Sequence, residues 1–361
     1  MKKIRVLVVE DSLTIRKRIL EVLAADPEID IVGEADDGKR GIELCEQLRP
    51  DVVTLDMMLP NMNGLAATEF IMAYCPTPIL IVSSSTNRGD LFKTFDALAA
   101  GALEALDKPK GNELDDDWEK KLVATVKFIS RIKVITHPRA RLGRMGQTPA
   151  PSTLIKQASK SLQNSERLRA VAIGVSTGGP AALIEILQGL PDGFQPPILL
   201  VIHVGKLFTP AFAEWLDKQS PVRVGYAVDG EPLPPCGDTR VLMAPPDKHL
   251  VLSQGKLRLT QDFERNSCRP SIDVLFESFA QELGAEGAAC LLTGMGKDGA
   301  AGLLAIRRAG GRTIAQDEAT SVVFGMPREA ILLGAAEQVL ALDQIAPRLG
   351  VLAGAQAVRS L

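Results

Sequence analysis

Residues 171–183 read VAIGVSTGGPAAL. An apolar run, a turn of small residues and a proline that opens a helix-period stretch make a strand–turn–helix unit. Proline suits the first helical turn because the N–H it lacks would find no intrahelical acceptor there. Within the unit Gly174, Ser176 and Gly178 fit G-x-S-x-G, a spacing whose small residues let a serine sit on a sharp elbow. Free amides and the positive dipole end of the following helix then face any negative charge that develops beside the serine. A phosphate-cradling glycine loop reads similarly, and so does a purely structural turn. The motif therefore needs partners elsewhere in the chain.

Working outward, the same alternation continues. Strands are predicted at 170–175, 197–203 and 288–293, and helices at 180–187, 210–218, 272–283 and 300–309. The stretch 241–260 breaks the pattern as a hairpin, with Gln254-Gly255 as its turn. Residues 169–355 are thus expected to form a doubly wound, mostly parallel α/β domain carrying a β-hairpin. Residues 1–133 show five strand–helix units, with strands at 4–9, 29–35, 52–55, 79–82 and, more weakly, 103–106. Helical patterns such as 13–24 and 64–74 fill the gaps. Strands this apolar, separated by helices, imply a parallel sheet covered on both faces. Between the two lies 134–168, poor in large apolar residues and rich in Pro, Ser, Gln and basic residues. Arg139, Arg141, Arg144, Lys156, Lys160 and Arg167 stand there against the single acid Glu166, which is the composition of a tether.

The whole chain fits this division. Its 361 residues exceed one domain of ~100–200 residues. A net charge of −3 with 46% hydrophobic residues argues against nucleic acid as the main ligand, since DNA-binders carry a basic surplus. No apolar run approaches the ~20 residues of a membrane span, and the apolar start is cut short by Glu10-Asp11. The cysteines, 45, 75, 236, 268 and 290, are odd in number with no pair at metal-ligand spacing. This fits a reducing cytoplasm.

In an open parallel sheet, ligands gather at the carboxyl ends of the strands. Glu10 and Asp11 end the first strand and Asp56 the third, neighbours in a 2-1-3-4-5 order. Three converging carboxylates repel unless a cation sits among them, and oxygen ligands suit Mg²⁺. Ser83 and Lys108 end the fourth and fifth strands. A carboxylate held by Mg²⁺ beside a hydroxyl and an ammonium is a site for accepting a phosphoryl group.

A serine nucleophile needs a base, and the chain has three histidines. His137 lies in the tether. His249, in PPDKHL at the hairpin, is expected at the surface. His203 ends the strand after the elbow helix, which places it beside Ser176. For the carboxylate that orients the imidazole, Asp298 lies in a glycine-rich loop at another strand end, and Asp273 and Asp317 are its rivals. The order Ser…His…Asp differs from that of α/β-hydrolases.

The cluster at Glu10, Asp11, Asp56, Ser83 and Lys108 resembles a response-regulator receiver, a (βα)5 flavodoxin-like domain. That resemblance implies Asp56 as the phospho-acceptor, with Glu10, Asp11, Asp56 and the Met58 carbonyl around Mg²⁺, and Ser83 and Lys108 responding to the phosphoryl group. Ala105 stands where receivers usually carry an aromatic switch residue, and Asn63-Gly64 where Asp-Gly is common. After the tether, IGVSTGG at 173–179, CRPSIDVLF at 268–276, LTGMGKDGAAG at 292–302 and IAQD at 314–317 with VFGMP at 323–327 resemble the catalytic domain of the chemotaxis protein-glutamate methylesterases. This resemblance implies Ser176, His203 and Asp298 as a triad, and amides around Thr177 and Met295 as oxyanion donors. It implies hydrolysis of glutamate γ-methyl esters on chemoreceptors, ancillary deamidation of their glutamines, a histidine kinase as phosphoryl donor, a cytoplasmic monomer, and no cofactor for the esterase step. Val204-Gly205 replaces the usual Met-Pro, and with Phe208 and the 213–216 stretch AEWL it resembles relatives in surface-sensing pathways. The competing readings are a receiver-controlled output module without catalysis and a DNA-binding regulator, although no basic recognition helix is evident after Arg169.

Overall fold

A computed structural model describes residues 2–84, 87–109, 116–134, 168–205 and 208–355. Most of the predicted tether, and with it His137, lies outside them. The first unit comprises β1 (Ile4–Val9), α1 (Leu13–Ala24), β2 (Ile29–Ala35), α2 (Gly38–Leu48), β3 (Val52–Leu55), α3 (Gly64–Tyr74), β4 (Ile79–Ser83), α4 (Arg88–Ala99), β5 (Glu104–Asp107) and α5 (Asp116–Ile129). Its strands pair in parallel in the order β2-β1-β3-β4-β5. β3 and β4 are buried along their whole length, as helices on both faces require. Asn63 and Asn87 start α3 and α4 by accepting the amides of Ala66 and Asp90.

The second unit comprises β6 (Ala170–Val175), α6 (Gly179–Gln188), β7 (Ile198–Ile202), α7 (Thr209–Gln219), β8 (Arg223–Tyr226), β9 (Arg240–Met243), β10 (His249–Ser253), β11 (Lys256–Thr260) and α8 (Ile272–Leu283). It continues through β12 (Gly287–Leu291), α9 (Ala300–Arg308), β13 (Arg312–Gln316), α10 (Met326–Leu332), β14 (Gln338–Leu340) and α11 (Leu342–Leu352). Seven strands form one parallel sheet in the order β14-β13-β12-β6-β7-β9-β8. The expected hairpin needs correction. Only 249–260 forms it, turning at Gln254-Gly255, both with positive φ. Residues 240–243 instead join the main sheet beside β7, because their apolar side chains are buried there. β8, β13 and β14 are short or mixed in polarity and carry no period that marks them.

From β6 the chain passes to β7, out to the edge strand β8 and back to β9 between them, then after the hairpin crosses to β12 on the other side of β6. The sheet therefore changes direction at β6, which is where open α/β sheets bind ligands. No described helix is long and apolar enough to cross a membrane.

The two units meet through α4. Phe95 is fully buried against Phe212, Trp215 and Phe208, with ring centroids 5.1, 5.4 and 6.4 Å away. Around this aromatic knot the Trp215 indole N–H donates to Asp96 at 2.8 Å and Arg88 pairs with Glu214 at 3.3 Å. The Lys218 ammonium stands 4.4 Å over the Phe92 ring. A cavity of about 570 Å³ lies alongside, between Met72, Leu98 and Lys133 of the first unit and Gly178, Ala181 and Val322 of the second.

Candidate active site and phosphoryl-acceptor site

Ser176 follows β6 directly. Its turn needs Gly178, whose φ is +81° and where an added Cβ would stand 2.6 Å from Val322 Cβ. Gly294, at the end of β12, is equally constrained, since a Cβ there would meet Ser176 Cβ at 2.7 Å. Val175 pairs with Ile202, and the His203 amide donates to the Val175 carbonyl at 3.1 Å. Ser176 and His203 are the next residues after this last pair of the two adjacent strands.

The His203 ring is held from both sides. Nε2 lies 3.0 Å from Asp298 Oδ2, and Nδ1 lies 3.9 Å from Cys268 Sγ. With Asp298 on Nε2, Nδ1 is the ring nitrogen without a carboxylate partner. Ser176 Oγ is not among the ring's hydrogen-bond partners, a contact that in free enzymes often tightens only with substrate bound. Burial alone would lower the His203 pKa, but the Asp298 carboxylate and the Cys268 sulfur outweigh it and hold it up at about 9.

Asp298 itself is buried. It precedes α9 but docks against the start of α8, accepting the amides of Ile272 and Asp273 at 2.7 and 3.2 Å, the Ser271 hydroxyl at 2.7 Å and the Asn266 amide at 3.0 Å. Burial would raise its pKa, yet His203, Asn266 and Ser271 bring it down to about 2. Asp273, a sequence rival, instead accepts the Gly302 amide at 2.7 Å. The two aspartates therefore cap each other's helices. Asp317, the other rival, closes a turn through Thr320. His249 opens the hairpin as expected but is fully buried, not on the surface. Sequence reading missed Asn266 and Ser271, and the only signal for them is that they sit in or beside the 268–276 stretch. The amides of Thr177 and Met295 have no acceptor among the described residues. Met295 and Lys297 are exposed beside Asp298.

In the first unit, the strand ends assemble the acidic cluster. The Lys108 ammonium donates to Glu10 Oε1 and Asp56 Oδ2, both at 2.8 Å. Glu10 Oε2, Asp56 Oδ1 and Ser83 Oγ are buried without a partner among the described residues. Burial pushes the Glu10 pKa up to about 7 despite Lys108. Orphaned carboxylate oxygens are what a divalent cation satisfies, and ligand atoms of Glu10, Asp11 and Asp56 lie within 4.8 Å of one another. The donor set fits Mg²⁺. Ala105 is buried on β5.

Two family models match the chain: the response regulator receiver domain over residues 6–117 and the CheB methylesterase over residues 171–349. Protein-glutamate methylesterase/protein-glutamine glutaminase 2 of Pseudomonas aeruginosa is 43% identical over 351 residues, 96% of each chain. The protein-glutamate methylesterase/protein-glutamine glutaminase of Nitrosospira multiformis is 42% identical over the same share of each. Enzyme 4 of that name from Myxococcus xanthus is 40% identical over 349 residues, again 96% of each.

Proposed function

The chain belongs to the family of CheB methylesterases joined to a response-regulator receiver, and from that premise we propose that Ser176, His203 and Asp298 hydrolyse glutamate γ-methyl esters on chemoreceptors under control of phosphorylation at Asp56. The observation that carries this is the Asp298–His203 pair at 3.0 Å with Ser176 as the next neighbour across β6 and β7.

Asp298 holds the Nε2–H tautomer, which leaves the Nδ1 lone pair, 3.9 Å from Cys268 Sγ, as the ring's base. That nitrogen takes the hydroxyl proton as Oγ attacks the ester carbon. The tetrahedral oxyanion is met by the Thr177 and Met295 amides, whose lack of other acceptors leaves them preorganised for it. His203 then gives its proton to the departing methoxide, and methanol leaves an acyl-serine. Water, activated by the same nitrogen, releases glutamate and restores Ser176. An amide passes through the same tetrahedral intermediate, so receptor glutamines yield glutamate and ammonia.

In the receiver, the Asp56 carboxylate attacks the phosphorus of a phosphohistidine on the partner kinase, forming a P–O bond as the P–N bond breaks and the kinase imidazole leaves. Glu10, Asp11, Asp56 and the Met58 carbonyl would hold Mg²⁺, which supplies charge neutralisation when bound. Lys108 turns from its two carboxylates to the new phosphoryl oxygens, and Ser83 donates its free hydroxyl to them. Ser83 ends β4, and the next helix is α4, the element packed on the catalytic unit. A shift at Ser83 therefore reaches the Phe95–Trp215 contact through α4, without the aromatic switch that Ala105 replaces. In this reading the docked receiver restrains a cytoplasmic enzyme and phosphorylation releases it.

The test is methanol release from methylated receptor, with and without a small phosphoryl donor. Wild type should release methanol and Ser176→Ala should not. Release that persists in the variant would remove Ser176 as the nucleophile.

A further inference from the structure

No step of the reaction uses His249, yet it is fully buried at the start of β10 and both ring nitrogens are engaged. Nδ1 accepts the Ser271 backbone N–H at 3.1 Å, and Nε2 lies 3.2 Å from the Phe263 carbonyl. A ring nitrogen that accepts an N–H carries no proton, and one that faces a carbonyl carries one. The contacts thus make Nδ1 the acceptor and turn Nε2 to the Phe263 carbonyl as donor.

The bond to Ser271 lands where the triad carboxylate is seated. Helix starts leave their first amides without intrahelical acceptors, and at α8 each is met by a side chain. Ser271 N goes to His249, Ile272 and Asp273 N to Asp298, and Val274 N to the Ser271 hydroxyl at 3.5 Å. The same hydroxyl donates to Asp298. Residues 271–273 therefore supply three of the donors that orient Asp298, and Asp298 orients His203. Arg269 ties the same two segments from outside, donating to Asp247 at 2.9 and 3.0 Å.

We infer that His249 is a positioning residue of the esterase: by anchoring Ser271 it fixes the helix end that seats Asp298, and so holds the His203 ring in place. An apolar side chain of similar size would fill the space but leave the buried Ser271 N–H unpaired and the helix end free to shift. The inference rests on the esterase reading above.

Two variants of the full chain test it. His249→Leu removes the acceptor, while His249→Asn keeps an oxygen near the Nδ1 position. His249→Leu should keep a cooperative thermal transition and lose kcat by ~10²-fold at unchanged KM, the scale of a small misplacement of a catalytic group. His249→Asn should recover to within ~10-fold of wild type, about the worth of one hydrogen bond to a charged network. Proton NMR supplies a readout that needs no substrate. The His203 Nε2–H signal, downfield in wild type through its bond to Asp298, should move upfield in His249→Leu and stay in His249→Asn. A folded His249→Leu with wild-type kcat and an unmoved signal overturns the proposal, and so does equal loss in both variants. If His249→Leu does not fold, His249→Met decides, since it too removes the acceptor of the Ser271 N–H. It should lower kcat by ~10²-fold and move the same resonance, and no change in either overturns the proposal. Should wild type show the downfield proton but release no methanol, the esterase reading fails while the positioning network stands.

Discussion

Replacing Asp298 by Asn keeps the carboxylate's shape and removes its charge, which makes it the sharpest probe of the site. His203 is held at about 9 against an ordinary histidine near 6.5, a gap of ~3 kcal/mol in favour of the imidazolium. At pH 7 only about one ring in a hundred is then neutral, so wild-type kcat/KM should climb roughly tenfold per pH unit toward 9. In Asp298→Asn burial, which lowers the pKa, is no longer outweighed by the carboxylate, and the rise should move to lower pH. More rings are then neutral at pH 7, yet the rate should fall by ~10⁴-fold, because an amide N–H facing Nε2 selects the tautomer whose Nδ1 is already protonated. The sign for stability follows from the same pair. A raised folded pKa stabilises fully below about 6.5 and is lost as pH rises through about 9. From the acid side, Asp298 at about 2 contributes above its ordinary value and loses this as pH falls through about 2. Both describe one interaction. The assay is methanol release from pH 6 to 10, with urea unfolding over the same range. A midpoint that stays near 9 in Asp298→Asn, or a rate within tenfold of wild type, would refute the assigned tautomer and its cause.

Other outcomes follow from single contacts. Cys268→Ser should move the pH–rate midpoint of the wild type downward, since the sulfur at 3.9 Å helps hold the His203 proton; an unmoved midpoint rules that contribution out. Phe95→Ala removes packing of about 3–5 kcal/mol from the contact between the units. It should raise basal methanol release toward the phosphorylated level, and a basal rate equal to wild type would show that α4 does not restrain the enzyme. Asp56→Asn should take up no label from a radiolabelled phosphoryl donor and show no activation by it. Millimolar Mg²⁺ should raise the thermal midpoint of wild type, and Glu10→Gln should blunt that rise, because Glu10 supplies one of the orphaned oxygens.

Most of the parallel architecture is legible because its strands are largely buried and read as apolar runs with at most one polar residue: 4–9, 52–55, 170–175 and 198–202. Where that condition lapses, reading failed. Arg223–Tyr226 is a short edge strand, exposed to half-buried. Residues 241–243 read as part of the hairpin because periodicity cannot say which neighbour a strand pairs with. His249 looked like a surface residue because it sits among Pro, Asp and Lys, and nothing local reveals that Phe263 and Ser271 close over it.

The sequence by itself determined the chemistry on offer: a serine on a glycine elbow, acids and a lysine at strand ends, and few imidazoles to choose from. Those are properties of residue type and local spacing. Tertiary structure alone decided which carboxylate meets His203, since Asp273 and Asp298 are both buried and both cap a helix. It also decided that Asp298 takes Nε2, and that Phe95, Phe208, Phe212 and Trp215 close the two units on one another. These depend on contacts between segments distant in the chain, which no window of sequence contains.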